Sequence, residues 1–360
     1  LNRRNCKNNE QGFSLLEVVI AMFVMLIVTG AIFALMRDSM KSSHATLELS
    51  DGQESVRTGQ EYINRDLINV GDGLNSILNI RVPPAFVTNY LTLNPVINAD
   101  GYADLGLLTS DNDVRAGTPV LGTTPGITIR TVPVLTDRIT ILQMERPENF
   151  QPISLDAGAL TPADGLAAVS PADIGRFSVG EIYFITSGEG GIFATVTGLK
   201  DVGTANPFLI FGSPDTFGLN SAAQLTFVST KDGVNLPLLI CRMKMIHYYI
   251  NSNGLLMRRV FGVKSAANAG FNESAIAEHA VSLQFRYFLN IRDAADNIVQ
   301  PEAQLTTSAQ QIETRQVEVS LTVETPHSLQ NGQPQTVSTT TSTSVRNMQF
   351  RRSQRVTAGG

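Results

Sequence analysis

The chain contains no tryptophan and two cysteines among 360 residues, and charged residues make up 16% of it. Cys6 sits in a polar stretch read below as removable, so no internal disulfide is available to what remains. Cys241 lies in the apolar Leu239-Ile240-Cys241-Arg242 and reads as a small core residue. The four histidines, His44, His247, His279 and His327, are scattered without metal-ligand spacing, and no G-x-S-x-G, P-loop or H-E-x-x-H pattern occurs. Enzymatic chemistry, a bound metal and a cofactor are therefore not expected. The formal charge of -5 leaves no electrostatic footprint for nucleic acid on the chain as a whole. Arg351, Arg352 and Arg355 form a local basic group that reads as a solvated tail. No repeat of fixed period is present.

What is present begins near the N-terminus. Residues 18–36 carry no charge and are long enough to cross a bilayer, since ~20 helical residues match a hydrocarbon core ~30 Å thick. Glu17 stands at the start of this run, where a carboxylate costs on the order of 2.5–3.5 kcal/mol and calls for a cationic partner. Residues 1–12 are polar, carry Arg3, Arg4 and Lys7 against Glu10, and end at Gly12, which offers a protease no side chain. They read as a removable leader, whose loss takes the net charge to -7. A secretory signal is the competing reading, but its apolar region is shorter, and Ala31-Ile32-Phe33-Ala34 is the only A-x-A-like site. The basic residues before the helix place that end in the cytoplasm and the rest of the chain in the periplasm.

The helix is expected to continue beyond the membrane. Met36, Met40, Leu47, Val56, Ile63, Leu67 and Val70 keep near one face, and no proline interrupts residues 13–82. Gly52 and Gly59 each weaken a helix by about 1 kcal/mol relative to Ala, so a bend or fray is expected there. Gly71-Asp72-Gly73 is the expected stop.

Gly12-Phe13-Ser14-Leu15-Leu16-Glu17, behind a short basic leader and ahead of an apolar helix, resembles the type IV prepilin signal. The resemblance implies that a prepilin peptidase cuts between Gly12 and Phe13 and methylates the new amine of Phe13. It also implies that Glu17 pairs with the N-terminal amine of a neighbouring subunit during assembly. Ser14 and Leu16 stand where Thr and Ile are commoner.

Beyond residue 73 the hydrophobic period changes. Pro83-Pro84, Asn94-Pro95 and Gly117 to Gly126 read as loops with short strands, Ile127 to Val134 and Arg138 to Glu145 as strands, and Pro147 to Gly175 as a long polar excursion. Val179 to Thr186 and Ile192 to Thr197 flank a Gly-rich hairpin. Met243 to Ile250 and Leu255 to Phe261 flank Asn253-Gly254, which suits a type I′ turn. Val281, Leu283, Phe285, Tyr287 and Leu289 alternate cleanly, as do Val317, Val319, Leu321 and Val323, the pattern of half-buried antiparallel strands. The apolar face of residues 37–70 is their expected cover. Thr336 to Ser344 reads equally as a linker or an edge strand. Asp100, Asp104, Asp111 and Asp113 could offer oxygens to calcium but read as a solvated acidic loop.

Short segments narrow the resemblance: Arg65-Asp66-Leu67, Asp137 to Ile141, Val179 to Phe184, Gly254 to Arg258, Ala280 to Tyr287, Arg315 to Leu321 and Val345-Arg346-Asn347 look like the PilW family of type IV minor pilins. They favour it over the J-type minor pseudopilin of type II secretion. The expected fold is α+β, a long N-terminal pilin helix packed on a large antiparallel β-sheet domain. Its parts are a leader (1–12), a transmembrane half-helix (13–36), an amphipathic half-helix (37–72) and a globular β domain (73–360). The implied role is non-enzymatic: held in the inner membrane, then joining other minor pilins and the major pilin to prime a pilus and sit at its tip beside an adhesin-like partner. The J-type minor pseudopilin, a tip adhesin or DNA-uptake subunit and, least of all, a membrane-anchored periplasmic enzyme remain as alternatives.

Overall fold

The computed structural model describes residues 14–71, 80–91, 97–115, 135–145, 151–187, 190–262, 270–290, 301–326 and 334–345. A single helix, Leu15–Ile68, is followed by a β-rich body, so the architecture is α+β. The helix starts where Ser14 adopts an extended conformation and caps it, and runs 54 residues because no proline or unsatisfied cap interrupts it. At its end Asn69 Nδ2 donates to Arg65 O at 2.9 Å. Gly71, at φ 72°, turns the chain so that its N–H donates to Leu142 O at 2.8 Å, sewing the helix end to the body. Asp72 and Gly73 lie outside the described residues.

Two sheets receive the helix. The first is three-stranded and antiparallel, with Thr314–Glu324 between Ala280–Leu289 and Thr336–Ser344. The second, central sheet is five-stranded and antiparallel, in the spatial order Phe271–Ala277, Leu256–Phe261, Met243–Ile250, Leu135–Met144, Leu108–Arg115. Val56, Ile63 and Leu67 from the helix, and Val70 just past its end, join Leu283, Phe285, Val319, Leu321, Tyr248 and Leu256 in one buried core. The alternation of Val317 to Val323 and Val281 to Leu289 thus marks the buried side of the helix-facing sheet, as the pattern requires. Thr336–Ser344 is a strand, at the outer edge of that sheet.

A third, six-stranded sheet lies beyond the central one and includes Ile182–Thr186 paired antiparallel with Gly191–Thr195. Its Ile80–Val82 pairs in parallel with Gly191–Thr195, an exception to the antiparallel pattern.

Several details depart from expectation. Met36, Met40 and Leu47 are exposed, because the body first flanks the helix near Glu48 and buries its residues only from Val56 onward. The run from 151 to 175 is not a polar excursion. Ile153–Leu155, Leu160–Thr161 and Leu166–Ala168 form strands whose Ile153, Leu155, Leu160 and Ala167 join a second core with Tyr183, Ile185, Leu209 and Leu238. Pro84–Phe86 and Val87–Leu91 are helical turns instead of loop or strand. They stack Phe86 on Tyr90 and aim both at Phe217 and Phe261. The turn at Asn253-Gly254 is not type I′, since Gly254 alone of the two has positive φ, 72°. Asn251 O accepts from Gly254 N, and Asn251 Oδ1 accepts from the N–H groups of Asn253 and Leu255, so an asparagine side chain organises a longer loop. The expected strand Ile127 to Val134 and the segment Gly117 to Gly126 lie outside the described residues.

Neither Gly52 nor Gly59 breaks the helix. At Gly59 the missing side chain instead allows close approach, for a Cβ there would meet Leu321 Cδ2 at 2.8 Å and Leu256 Cδ2 at 3.2 Å. At Gly52 the nearest atoms, on Val323 and Val337, lie at 3.5 and 3.6 Å, ordinary contact. Helix propensity favours Ala over Gly at both positions by about 1 kcal/mol, and overpacking costs about 1–3 kcal/mol only at Gly59. Gly52→Ala is therefore expected to raise the thermal midpoint of the detergent-solubilised chain and Gly59→Ala to lower it. Equal shifts would show that the fit at Gly59 is loose.

Candidate assembly segment

The N-terminal part of the helix stands free of the body. Every residue from Leu15 to Met36 is exposed, Leu15 by 84% and Leu26 by 71%. This helix is long and apolar enough to cross a membrane by length and composition. Its exposed apolar surface has no cover within the described chain, which is the arrangement of a segment whose solvent is lipid.

Glu17 lies near the start of that segment, and its carboxylate turns back on the helix end. Ser14 N–H donates to Glu17 Oε2 at 3.0 Å, while Leu16 N–H donates to Ser14 Oγ at 3.2 Å, a reciprocal capping box. The carboxylate thus has a partner inside its own chain, a backbone donor at the positive end of the helix dipole. That lowers the cost of holding it in an apolar segment before any cationic partner is met. Ser14, not singled out as a cap from the sequence, is the residue that holds the carboxylate there. Its signal, Ser followed three positions later by Glu ahead of an apolar run, was legible. Gly12 and Phe13, the expected processing residues, lie outside the described residues.

At the other end the helix is locked to both sheets by buried polar groups. Asp66, 3% exposed, accepts from Tyr248 Oη at 2.5 Å and from Arg258 Nε at 2.7 Å. Burial, reinforced by Asp66, holds the Tyr248 phenol well above its ordinary value, so it remains a donor. Gln60 Nε2 donates to Thr339 O at 2.5 Å, and Asn64 bonds the hydroxyls of Thr341 and Thr343. Asp66 and Arg258 come from two of the segments quoted above for the family resemblance. Others of those segments also tie layers together. Asp137 accepts from Phe285 N–H at 2.7 Å and Asp113 N–H at 3.0 Å. Glu181 takes Tyr183 Oη at 2.8 Å and pairs with Arg242, which also approaches Glu145 at 3.4 Å.

The remaining candidates do not converge. Asp100 pairs with Arg81 at 3.4 Å, Asp113 sits at φ 54°, and among the described residues no group of three His, Cys, Asp or Glu is placed to hold a metal ion. His44 is exposed, His247 is fully buried beside Thr140 with Nδ1 to Oγ1 at 3.0 Å, and His279 occupies a positive-φ turn. His327, Arg351, Arg352 and Arg355 lie outside the described residues. Burial pushes the Cys241 thiol up to about 12, so it behaves as core and not as a nucleophile.

The fold and site define an α+β chain with a free apolar N-terminal helix and a capped carboxylate at its start. Residues 7–33 match the prokaryotic N-terminal methylation motif, and the match is confined to that segment. The N-terminus is therefore pilin-like, of the kind that anchors a chain in a membrane. No curated protein sequence matches the chain. Among solved structures, the GspK-GspI-GspJ complex from the type 2 secretion system of enterotoxigenic Escherichia coli aligns with a TM-score of 0.28 at 10% identity. That alignment covers 83% of this chain and 97% of the other, and at such a score it carries no argument about this chain.

Two outcomes test the polar ties. Asp66→Asn leaves Arg258, 17% exposed, without its counter-charge, and breaking a buried pair costs about 3–5 kcal/mol, here at the lower end. Denaturant titration should show that loss, and a change below about 0.5 kcal/mol, the scale of an ordinary surface substitution, would show the pair to be dispensable. Burial pushes the Asp137 carboxyl up to about 6, against the two backbone N–H groups that favour its charge. An unfolded aspartate titrates near ~3.9, so the folded state binds this proton more tightly. The stability Asp137 contributes is present below about pH 4 and is lost as pH rises through about 6. Asp137→Asn should flatten stability across that window. A slope equal to that of the unmodified chain would exclude Asp137 as its source.

Proposed function

We propose that this chain is a minor pilin of a type IV pilus, of the PilW kind, with no catalytic activity of its own. The observation that carries the reading is the methylation motif at residues 7–33 together with a helix whose first half is uncovered and whose second half is locked to a β body. In this reading prepilin peptidase cleaves between Gly12 and Phe13 and methylates Phe13. The chain waits in the inner membrane with its body in the periplasm, then joins other minor pilins to prime the fibre and sit at its tip.

The capping geometry supports an assembly step through Glu17. Before cleavage, Oε2 of Glu17 is engaged by the Ser14 N–H, one residue from the cut. After cleavage the ammonium of Phe13 becomes available, in the same chain and in neighbours, and outbids a neutral N–H because a charge-assisted hydrogen bond is roughly twice as strong. Moving the apolar helix from lipid into a bundle of like helices then exchanges one apolar contact for another, while the carboxylate gains a cation.

The mass of the N-terminal peptide from cells tests the pathway: a mature chain beginning at Phe13 with one added methyl is expected, and any other start refutes it. Glu17→Ala should still insert and be cleaved but be absent from assembled pili or priming complexes. Incorporation at the level of the unmodified chain would rule out Glu17 as the assembly carboxylate. Deletion of the gene should abolish pili and twitching. Loss of protein secretion with pili intact would assign the chain to type II secretion instead.

A further inference from the structure

The strand Thr336–Ser344 forms an outer edge of the helix-facing sheet. Its pairing with Thr314–Glu324 is continuous, without a bulge, from Glu324↔Thr336 to Gln316↔Ser344. In the same register Thr325 N–H donates to Gln335 O at 2.8 Å and Val345 N–H donates to Arg315 O at 3.0 Å. The odd-numbered residues therefore turn their backbone groups toward Thr314–Glu324. Those of Thr336, Ser338, Thr340, Ser342 and Ser344 point to the open side. These five residues are all exposed, and none of their outward N–H or C=O groups is bonded within the described residues. Their side chains are occupied on the outer face, where Ser338 and Thr340 bond Thr322 and Ser320 at 3.1 Å.

Proteins ordinarily protect such an edge with charge, proline, a bulge or shortness. Among the described residues the other long edges are so protected: Ala280–Leu289, the opposite edge of the same sheet, carries Arg286 and has register irregularities at both ends. Phe271–Ala277 carries Glu273 and meets an irregular register at Leu256/Met257, and Leu108–Arg115 carries Asp111 and Asp113 at an irregularity of its own. The edges of the six-stranded sheet, Ala103–Leu105 and Ile153–Leu155, are three residues long. Thr336–Ser344 is nine residues long, with no charge, proline or glycine.

The direction of this strand constrains its occupant. Gly52 lies against Val337, Gln60 bonds Thr339, and Asn64 bonds Thr341 and Thr343. Twelve helical residues rise ~18 Å and six strand residues ~20 Å, so the strand runs alongside the helix and in the same direction. A second copy anchored in the same bilayer would present this edge in parallel. Related by a two-fold axis along the membrane normal, the two edges would face each other with their outward residues in the same phase. A parallel ladder needs opposite phases. A strand running toward the membrane from another protein meets the edge antiparallel and satisfies every outward group.

We propose that Thr336–Ser344 is a docking edge that accepts, by antiparallel strand addition, an uncharged β-strand of a different protein. The inference uses the membrane anchoring of the helix and does not require the pilin reading. The added strand extends the helix-facing sheet and lies beside the polar flank of the helix at Gln60 and Asn64.

The test uses the full chain in its own cells, with a photo-reactive benzoylphenylalanine replacing Ser342. Illumination should give one discrete adduct with a different polypeptide. In the same chain, Thr340→Pro removes an outward N–H without touching the internal ladder, since proline is tolerated at such edge positions. Thr340→Lys places a charge on the edge, and Thr340→Val changes neither. The adduct should fall by about ten-fold or more with Pro and with Lys and persist with Val, as expected when a run of backbone hydrogen bonds is lost together. The thermal midpoint of each purified variant is measured alongside; if the Pro variant melts early, Lys against Val decides. Absence of any adduct, its persistence in the deciding variant, or an adduct with the mass of two copies of this chain overturns the proposal. The N-terminal mass is read from the same cells, so failure of the pilin reading is seen separately.

Discussion

One helix here serves two solvents, and the rest of the structure follows from that constraint. From Leu15 to Met36 its surface is apolar all round and uncovered, which is stable only in lipid or among similar helices. From Val56 to Leu67 the same helix becomes the core element of a β body, and Asp66, Tyr248 and Arg258 fix it there. Because the two halves form one unbroken rod, whatever moves the first half carries the body with it. The buried ion pair is placed where such a load would act, at the junction of helix and central sheet.

The packing explains why the polar ties sit where they do. Two sheets and a helix meet around one core, and apolar contact alone does not choose among sliding registers of a smooth helix on a sheet. Gln60 on the carbonyl of Thr339, Asn64 on two hydroxyls and Asp66 on Arg258 each admit one axial position. Gly59 adds a steric condition, since a side chain there would have to displace the ends of Leu321 and Leu256. The edge strand Thr336–Ser344 is held by these same contacts on its inner face, and among the described residues its outer backbone groups have no partner. A docking edge that is preorganised loses little entropy on pairing.

Much of this was legible in the residues. The uncharged run 18–36 and the alternation at Val281 to Leu289 and Val317 to Val323 give the free helix and the half-buried sheet directly, because both signals depend only on local periodicity. The Ser14–Glu17 capping box was equally local. The misreadings arose where long-range packing decided. Met36, Met40 and Leu47 share the periodicity of Val56 and Ile63, yet the body does not reach them. Strands of two or three residues between 153 and 168 give no period to detect, and they exist because a separate core buries them. Phe86 and Tyr90 became helical through the aromatic cluster they join.

By itself, then, the sequence determined a membrane-length helix, a carboxylate at its start and a β-rich remainder, since hydrophobic period and length act within one segment. Only the tertiary structure decided that Asp66 meets Arg258, that Gly59 is a point of close approach and that the uncharged strand Thr336–Ser344 is, among the described residues, a sheet edge. Those features join residues separated by nearly two hundred positions or more, and no local pattern carries the distance between them.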